Sequence, residues 1–272
     1  MIIFGIPIHR KYVKKITIIF LILGSVLLMS CDKLNWDCSE IPRWYKYDSK
    51  GNGTKQSMTE TLIPKYLNNG GALITNSEVL SFSIFNNKVS VKVKHQDKTK
   101  NLTSDFLFVS AGAINSPHII LKSGLKKNIG KTLKLHPTFK FISLFDEEVN
   151  SNINGVHVHQ VKEFSPKISM GCSISTKGML SVGLNDCNNL KYISSWKKMS
   201  TYYSMICPEG VGSVTNLPFF NSPFVRFSLT RNDYENLYSG IEKLAQILFN
   251  AGARKLFPSV NSNLMIESID DI

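Results

Sequence analysis

The stretch Asp105–Gly124, DFLFVSAGAINSPHIILKSG, decides the fold of this chain. Its apolar run Phe106–Val109 predicts a β-strand, and the small residues that follow let a ligand approach the backbone closely, because no side-chain bulk intervenes. Ser116 and Pro117 predict the start of a helix, since serine caps a first turn and proline fits within it. A helix N-terminus at the end of a strand is a site for anions and nucleotides in open α/β sheets. Such turns also serve as plain packing devices, and spacing alone leaves both interpretations open.

The amino-acid sequence of this turn points to one protein family more specifically than its predicted shape does. Residues 112–125, GAINSPHIILKSGL, resemble the second signature of the glucose–methanol–choline (GMC) flavin oxidoreductases and depart from it only at the next position, where Lys126 replaces a glycine. The sequel Ile129–Pro137, IGKTLKLHP, resembles the family segment that ends in histidine-proline beside the flavin. The resemblance implies an α/β fold of mixed helix and sheet, in which a partial Rossmann-like, GMC-type FAD-binding domain is joined to an antiparallel-sheet substrate domain.

The same resemblance implies FAD as the cofactor and assigns a set of binding residues. These are Val79, Ala111, Gly112, Ala113, Ser116, Pro117 and His136. Val79 is expected near the adenine through its backbone, and His136 is expected to be structural or flavin-adjacent. The catalytic base of the family is a histidine in a later segment that nothing here matches, so the catalytic residues remain unknown.

The resemblance also predicts how the chain is divided. We expect a signal-like or unrelated hydrophobic segment at 1–31, a partial FAD-binding domain at 32–146, a β-rich substrate-binding domain at 147–230, and a C-terminal helix with the start of a return to the FAD domain at 231–272.

A glycine-rich strand–turn–helix normally holds the FAD pyrophosphate, and no GxGxxG occurs in these 272 residues. We therefore expect a piece of a GMC enzyme, truncated at both ends. The resemblance implies an enzyme that acts on CH–OH groups of an alcohol or sugar, with this piece inactive alone. A separately encoded N-terminal half that completes the flavin site is an alternative partner.

The N-terminus supports a competing interpretation. Basic residues at 9–15 precede the apolar run Ile16–Met29, and Ser30-Cys31 follow, an order typical of a bacterial lipoprotein signal. The run is short for a membrane span, which needs about 20 residues. The alternative function is therefore a lipid-anchored extracytoplasmic ligand-binding protein without catalysis, associated with the membrane through residues 16–29. The location is membrane-anchored if Cys31 is acylated, and cytoplasmic if this segment is an artefact.

Composition argues against nucleic acid and against a metal site. The net charge is +12, but the lysines are scattered and form no basic stripe interleaved with aromatic residues. The five cysteines contain no CxxC pair, so buried free thiols are expected. His157 and His159 alternate on a predicted strand, and without a third ligand we interpret them as part of a polar strand face and predict no metal.

Patterning along the chain predicts further elements. A helix with a capping box is expected at Ser57–Asn68, a short strand at Ala72–Thr75, and a hairpin of Val79–Phe85 and Lys88–His95 around Asn86-Asn87. Further strands are expected at Phe139–Phe145, Gly155–Val161, Met179–Gly183 and Val225–Leu229. A long helix is expected from the cap at Thr230, through an apolar stripe from Tyr234 to Leu248, to a stop at Gly252.

Overall fold

A computed structural model of the chain describes residue 31 and residues 33–40, 45–47, 53–55, 57–150 and 159–272. The described residues form a mixture of helices and antiparallel sheets, which confirms the mixed fold class. They divide into two compact units. The first unit contains the described residues before Ser57 together with His136–Cys207 and Tyr234–Ile272, and the second contains Ser57–Leu135 and Pro208–Asp233.

The elements are numbered in chain order. The strands are β1 (Cys38–Glu40), β2 (Tyr45–Tyr47), β3 (Gly53–Lys55), β4 (Ser77–Phe85), β5 (Lys88–His95), β6 (Lys98–Ser104), β7 (Thr138–Phe145), β8 (His159–Val161), β9 (Ile168–Cys172), β10 (Met199–Ile206), β11 (Ser213–Thr215), β12 (Phe224–Arg226) and β13 (Ala253–Pro258). The α-helices are α1 (Leu62–Asn68), α2 (Gly112–Lys122), α3 (Lys177–Asp186) and α4 (Arg231–Asn250), and 3₁₀ helices cover Leu190–Lys198 and Ile269–Asp271.

A six-stranded sheet organises the first unit. Its order is β1-β8-β9-β10-β7-β13, and every neighbouring pair is antiparallel. Tyr202 of β10 lies opposite Phe141 of β7, and both side chains are fully buried in a cluster that includes Leu244 and Leu248 of α4. Burial raises the pKa of the Tyr202 hydroxyl, so this phenol stays neutral inside the core.

The opposite face of this sheet packs against α3. Because successive strand residues point to opposite faces, Ile142 lies away from Phe141 and joins Phe257 and the α3 residues Leu180 and Leu184 in a second core cluster. The sheet is therefore covered on both faces, and the predicted strand at Phe139–Phe145 is confirmed as β7.

Helix α4 confirms the predicted long helix. Thr230 precedes its first residue, and Gly252 follows its end with a φ of +94°, a conformation that glycine adopts without strain. Leu244, Ile247 and Leu248 are fully buried, as the apolar stripe predicts. Tyr234 is an exception, because its side chain is 61% exposed and lies outside the core.

The second unit is built on the three-stranded sheet β4-β5-β6. The predicted hairpin is confirmed, and both residues of its turn, Asn86 and Asn87, have positive φ, as a tight type I′ turn requires. Helix α2 lies beside this sheet, where the hydroxyl of Ser123 accepts a 2.8 Å hydrogen bond from the backbone N–H of Phe82. Val91 and Val93 of β5 provide the buried apolar residues of the sheet.

Two predicted strands of the second unit are wrong, and its predicted helix begins later than expected. Residues Phe106–Val109 form no strand, and the third strand of the sheet is instead the polar segment β6, which pairs directly with β5. Residues Ala72–Thr75 also form no strand. Helix α1 begins at Leu62 and not at Ser57, because Ser57 bonds to Thr59 through its hydroxyl and makes no capping box.

Two of the strands predicted beyond residue 146 also need correction. Met179–Gly183 lies within helix α3, where Thr176 caps the N-terminus through the backbone N–H of Met179. The alternation that suggested a strand is overridden by this cap and by packing of Leu180 and Leu184 against the sheet. Strand β12 ends at Arg226, short of Leu229, and of the predicted strand Gly155–Val161 only β8 lies among the described residues.

Candidate functional site

The N-terminus of α2 is an open corner made of small residues. Ala111, Gly112 and Ala113 are all exposed, and Gly112 has a φ of +85°. Apart from its chain neighbours and its own helix backbone, no atom of the described residues lies within 4 Å of the position that a Cβ of Gly112 would occupy. No side chain caps the helix and no acidic residue lies in its first turn. The backbone N–H groups of this turn therefore face an uncrowded, uncapped helix end, which favours an anionic group.

The structure corrects how this helix starts. Ser116 and Pro117 were expected at the cap and first turn, but α2 begins four residues earlier, at Gly112. The left-handed conformation of Gly112 turns the chain directly into the helix, so no serine cap is needed. Pro117 then lies inside the helix, where its missing N–H leaves the carbonyl of Ala113 without the usual helical partner. Both Ser116 and Pro117 are half-buried.

Residues 129–135 of the second predicted motif belong to the same unit as α2. The chain at Gly130 runs beside β11, where Val214 N–H donates to the Gly130 carbonyl at 2.7 Å. Gly130 has a φ of +71°, and a Cβ there would overlap the Val214 carbonyl oxygen, so the close approach requires glycine. Farther on, Leu133 and Gly212 exchange two backbone hydrogen bonds of 3.0 and 2.7 Å.

The start of the first motif meets the second motif at a cavity. It has a volume of ≈ 200 Å³ and is lined by Ala113, Pro117, Gly130, Thr132, Leu133, Lys134 and Val214. Ala113 and Pro117 come from the start of α2, whereas Gly130–Lys134 come from the sequel motif. Among the described residues that line this cavity there is no carboxylate, and Lys134 has the one charged side chain.

Lys134 and Asp233 hold the loop 208–210 from two sides. The ammonium of Lys134 donates to the carbonyl oxygens of Pro208, Glu209 and Gly210 at 3.2, 2.9 and 3.0 Å. Asp233 accepts from the backbone N–H groups of Glu209 at 2.7 Å and Gly210 at 2.9 Å. The loop thus has its carbonyls bound to a cation and two of its amides bound to an anion.

Asp233 also completes the cap of α4. It accepts from the N–H of Thr230 at 2.8 Å, while its own N–H donates to the Thr230 hydroxyl at 3.2 Å. Burial by itself raises the pKa of the Asp233 carboxyl, but the hydrogen bonds from Thr230, Glu209 and Gly210 outweigh burial and lower the pKa to about 2. The sequence predicted Thr230 as the cap of this helix, but it held no signal for the link of Asp233 to residues 209 and 210.

A buried histidine lies on the inner side of α2. His118 is 8% exposed, and its Nδ1 lies 2.5 Å from the side-chain oxygen of Asn216, whose amide donates back to the His118 carbonyl at 3.1 Å. This reciprocal pair fixes α2 to the segment after β11. Sequence reasoning missed it, because the two residues are 98 positions apart.

The remaining predicted site residues lie elsewhere. Val79 is on β4, opposite Val93, with 37% of its surface exposed, and it does not line the cavity at α2. His136 is exposed and belongs to the first unit, where its carbonyl accepts from the Thr138 hydroxyl at 2.9 Å. The structure therefore brings together Ala113, Pro117 and the Gly130–Lys134 segment, and adds neither Val79 nor His136 to them.

Within the described ranges, no group of three or more His, Cys, Asp or Glu side chains could hold a metal ion. His159 is described and half-buried, whereas His157 lies outside the described residues. None of the helices that the structure describes is long and apolar enough to span a membrane. The side chains of Cys31, Cys172 and Cys187 are buried, and that of Cys207 is exposed.

Both motifs at the cavity lie in a part of the chain that matches a known protein family. The sequence profile described as GMC oxidoreductase matches residues 24–138. An uncharacterized GMC-type oxidoreductase of Sinorhizobium fredii is 34% identical over 256 residues, which cover 88% of this chain and 50% of the relative. The chain belongs to the GMC oxidoreductase family. A long-chain-alcohol oxidase of Arabidopsis thaliana is 23% identical, over 86% of this chain and 35% of the oxidase.

This GMC chain spans about half the length, or less, of the curated relatives it matches. An uncharacterized GMC-type oxidoreductase of Mycobacterium tuberculosis gives the same result, with 23% identity over 67% of this chain and 30% of the relative.

The family implies FAD, and the residues at α2 fit one part of this cofactor. Small side chains, the open space above Gly112 and the uncapped helix end leave room for a nucleotide and favour its negative charge. Lys134 adds a positive charge at the cavity. The 272 residues contain no GxGxxG turn for the pyrophosphate. The chain thus fits the cofactor as one wall of a site.

Proposed function

We propose that this chain forms part of an FAD-dependent GMC-type oxidoreductase that acts on the CH–OH group of an alcohol or sugar. The observation that carries the proposal is the cavity at which the start of α2 meets the segment Gly130–Lys134. Both stretches resemble flavin-adjacent motifs of the family, and the cavity places them beside an open, uncapped helix N-terminus.

The cofactor and the residues of this chain have different roles in the proposed reaction. FAD, when bound, supplies the acceptor for the hydride that leaves the alcohol carbon. The residues of this chain supply position and charge: Gly112 and Ala113 leave room for the nucleotide, and the α2 N–H groups and Lys134 favour its anionic part. The base that accepts the hydroxyl proton is not assigned to any residue of this chain.

We further propose that the 272 residues alone neither retain FAD tightly nor oxidise an alcohol. The glycine-rich loop that would hold the pyrophosphate is not among them. The purified chain is therefore expected to be colourless. A yellow preparation whose flavin absorbance bleaches when an alcohol is added without oxygen would contradict this part of the proposal.

The full proposal is tested by joining this chain to the rest of a relative. The chain replaces the matched segment of the Sinorhizobium fredii protein, which covers 50% of that relative. The joined protein is expected to purify with flavin, and the flavin is expected to bleach on anaerobic addition of a long-chain alcohol or a sugar. A folded, joined protein that binds no flavin would refute the proposed function.

The lipid-anchored alternative gains no comparable support. Its acylation site, Cys31, is 1% exposed within the main core cluster of the first unit, whereas residues 1–30 lie outside the described residues. Burial of this thiol favours a packing role. Failure of a fatty-acid label to attach to Cys31 in cells would agree with this interpretation.

A further inference from the structure

A second cavity lies within the first unit, between helix α3 and the six-stranded sheet. It has a volume of ≈ 170 Å³, and the residues that line it belong to the first unit. Its walls are mostly apolar, and their apolar side chains are Ile142, Ile174, Met179, Val182 and Phe257. An apolar pocket with few polar groups is the usual form of a small-molecule site, and the polar groups fix which molecule it takes.

One buried polar side chain of this cavity has no hydrogen-bond partner. Thr201 of β10 lines the cavity, lies opposite Ile142 on the same face of the sheet and is 8% exposed. Its backbone N–H and carbonyl are bonded to Ser175 and Ser173, but its hydroxyl makes no hydrogen bond to any residue that the structure describes. A buried hydroxyl without a partner is unfavourable, and a ligand in the cavity can supply the missing bond.

The size and charge of the cavity narrow the class of ligand. An apolar cavity of about 150 Å³ holds benzene, so this cavity accommodates an apolar body of about six carbons. Lys140 and Asp186 are the charged residues among those that line it, and their opposite charges favour a neutral ligand over an ion. A sugar fits poorly, because its several hydroxyls would be buried against apolar side chains without partners.

We propose that this cavity binds a neutral alcohol with an apolar body of about six carbons, whose hydroxyl pairs with that of Thr201. The inference rests on the proposed function for the role of this ligand, which is the substrate of the oxidoreductase. The substrate class is therefore an apolar alcohol and not a sugar, and Thr201 is a residue that determines this specificity. Binding of the alcohol needs no flavin, so the chain of 272 residues is tested by itself.

The first experiment measures binding to the purified chain by ligand-observed NMR titration with three probes. Benzyl alcohol and toluene share an apolar ring and differ in the hydroxyl, whereas glucose has hydroxyls without an apolar body. We expect saturable binding of benzyl alcohol, weaker binding of toluene and no binding of glucose. The difference between benzyl alcohol and toluene then reports the hydrogen bond to Thr201.

Two variants separate the hydroxyl from the apolar walls. Thr201→Val is expected to weaken benzyl alcohol about fivefold, the effect of one neutral hydrogen bond, and to leave toluene binding unchanged. It should fold as stably as the wild type in urea unfolding, because the hydroxyl has no partner to lose among the described residues. Val182→Trp fills the cavity from an exposed position and is expected to weaken both ligands at least about tenfold. Asn185→Trp, at an exposed position of α3 outside the lining, is the control that keeps wild-type binding.

Three binding results would overturn the proposal. These are no saturable binding of benzyl alcohol by the wild type, undiminished binding by folded Val182→Trp, or equal losses of benzyl alcohol and toluene in Thr201→Val.

The joined protein tests the role of the alcohol as substrate. Its flavin is expected to bleach faster with benzyl alcohol than with glucose. Faster bleaching with glucose would overturn this inference and leave the proposed function in place. A chain that binds benzyl alcohol, in a joined protein that holds no flavin, would instead refute the proposed function and leave the cavity as an alcohol-binding site.

Discussion

Replacement of Asp233 by asparagine is expected to loosen the loop 208–210 and to destabilise the second unit. Asp233 is fully buried, and its two carboxylate oxygens accept three backbone N–H groups at 2.7–2.9 Å. Hydrogen bonds to a charged group contribute about 1.5–3 kcal/mol each. Asparagine has one acceptor oxygen, so its amide group faces one of these N–H donors and the remaining bonds lose their charge.

The expected loss of stability in Asp233→Asn follows from these contacts. Loss of one charged hydrogen bond and weakening of two others amount to a decrease of about 3 kcal/mol in the free energy of unfolding. The matched control is Glu242→Gln, which removes one negative charge from an exposed position of the same helix. A change of at most about 0.5 kcal/mol is expected there.

The stabilisation that the Asp233 carboxylate provides is expected to decrease at low pH. The folded-state pKa of Asp233 is lowered from 3.8 to about 2. Its stabilising contribution is therefore complete above pH 4 and is lost as the pH falls through about 2. The difference between the wild type and Asp233→Asn should shrink across that window.

Urea unfolding followed by circular dichroism measures this difference, and hydrogen exchange at the amides of Glu209 and Gly210 reports the loop itself. Unchanged exchange at both amides in Asp233→Asn would refute the reasoning. A difference in stability that stays constant from pH 5 to pH 2 would refute the assigned cause of the pKa shift.

Two further predictions concern the segment Gly130–Lys134. Gly130→Ala is expected to destabilise the chain by at least about 2 kcal/mol in urea unfolding, because the left-handed φ and the overlap with the Val214 carbonyl act together. Gly124→Ala is the control, since Gly124 has a similar φ with open space around it, and an equal loss in both variants would contradict the role of the overlap. Lys134→Met removes three hydrogen bonds to the loop carbonyls and is expected to lower the free energy of unfolding by about 1–2 kcal/mol. Hydrogen exchange at residues 209 and 210 should become faster, and unchanged exchange would contradict this prediction.

Strong local signals made part of the fold predictable. Asn86-Asn87 between two alternating runs predicts a hairpin because few other residues accept positive φ, and the structure has that turn. Helix α4 was predictable because a cap, a long apolar stripe and a terminating Gly252 all agree. Each of these signals acts over neighbouring residues and needs no distant partner.

The errors arose where a distant partner decides the structure. The run Phe106–Val109 has the composition of a strand, but a strand forms only when another strand pairs with it, and none of the described residues does so. Strand β6 was missed for the opposite reason, since its polar residues gain their structure by pairing with β5. In α3, burial of Leu180 and Leu184 overrides a pattern that suggested a strand.

The candidate site was predictable in its motifs and not in its contacts. The start of α2 and the sequel motif were both found from their residues, and the cavity that joins them follows from the approach of Gly130 to β11. The hydrogen bond between His118 and Asn216 joins residues that are far apart in the chain. The same is true of the contacts of Lys134 and Asp233 with residues 208–210. No sequence pattern marked these links in advance.

The most direct test of the flavin site is the flavin content of the joined protein after Ala113→Leu. Ala113 lines the cavity and is exposed in the first turn of α2, so leucine there fills the space without disturbing the helix. Ala72→Leu, at an exposed loop position of the same unit, is the control. The account predicts that the joined protein and its Ala72→Leu form bind FAD and that Ala113→Leu loses at least about tenfold in affinity, or 1.4 kcal/mol. Undiminished FAD binding by Ala113→Leu would contradict it.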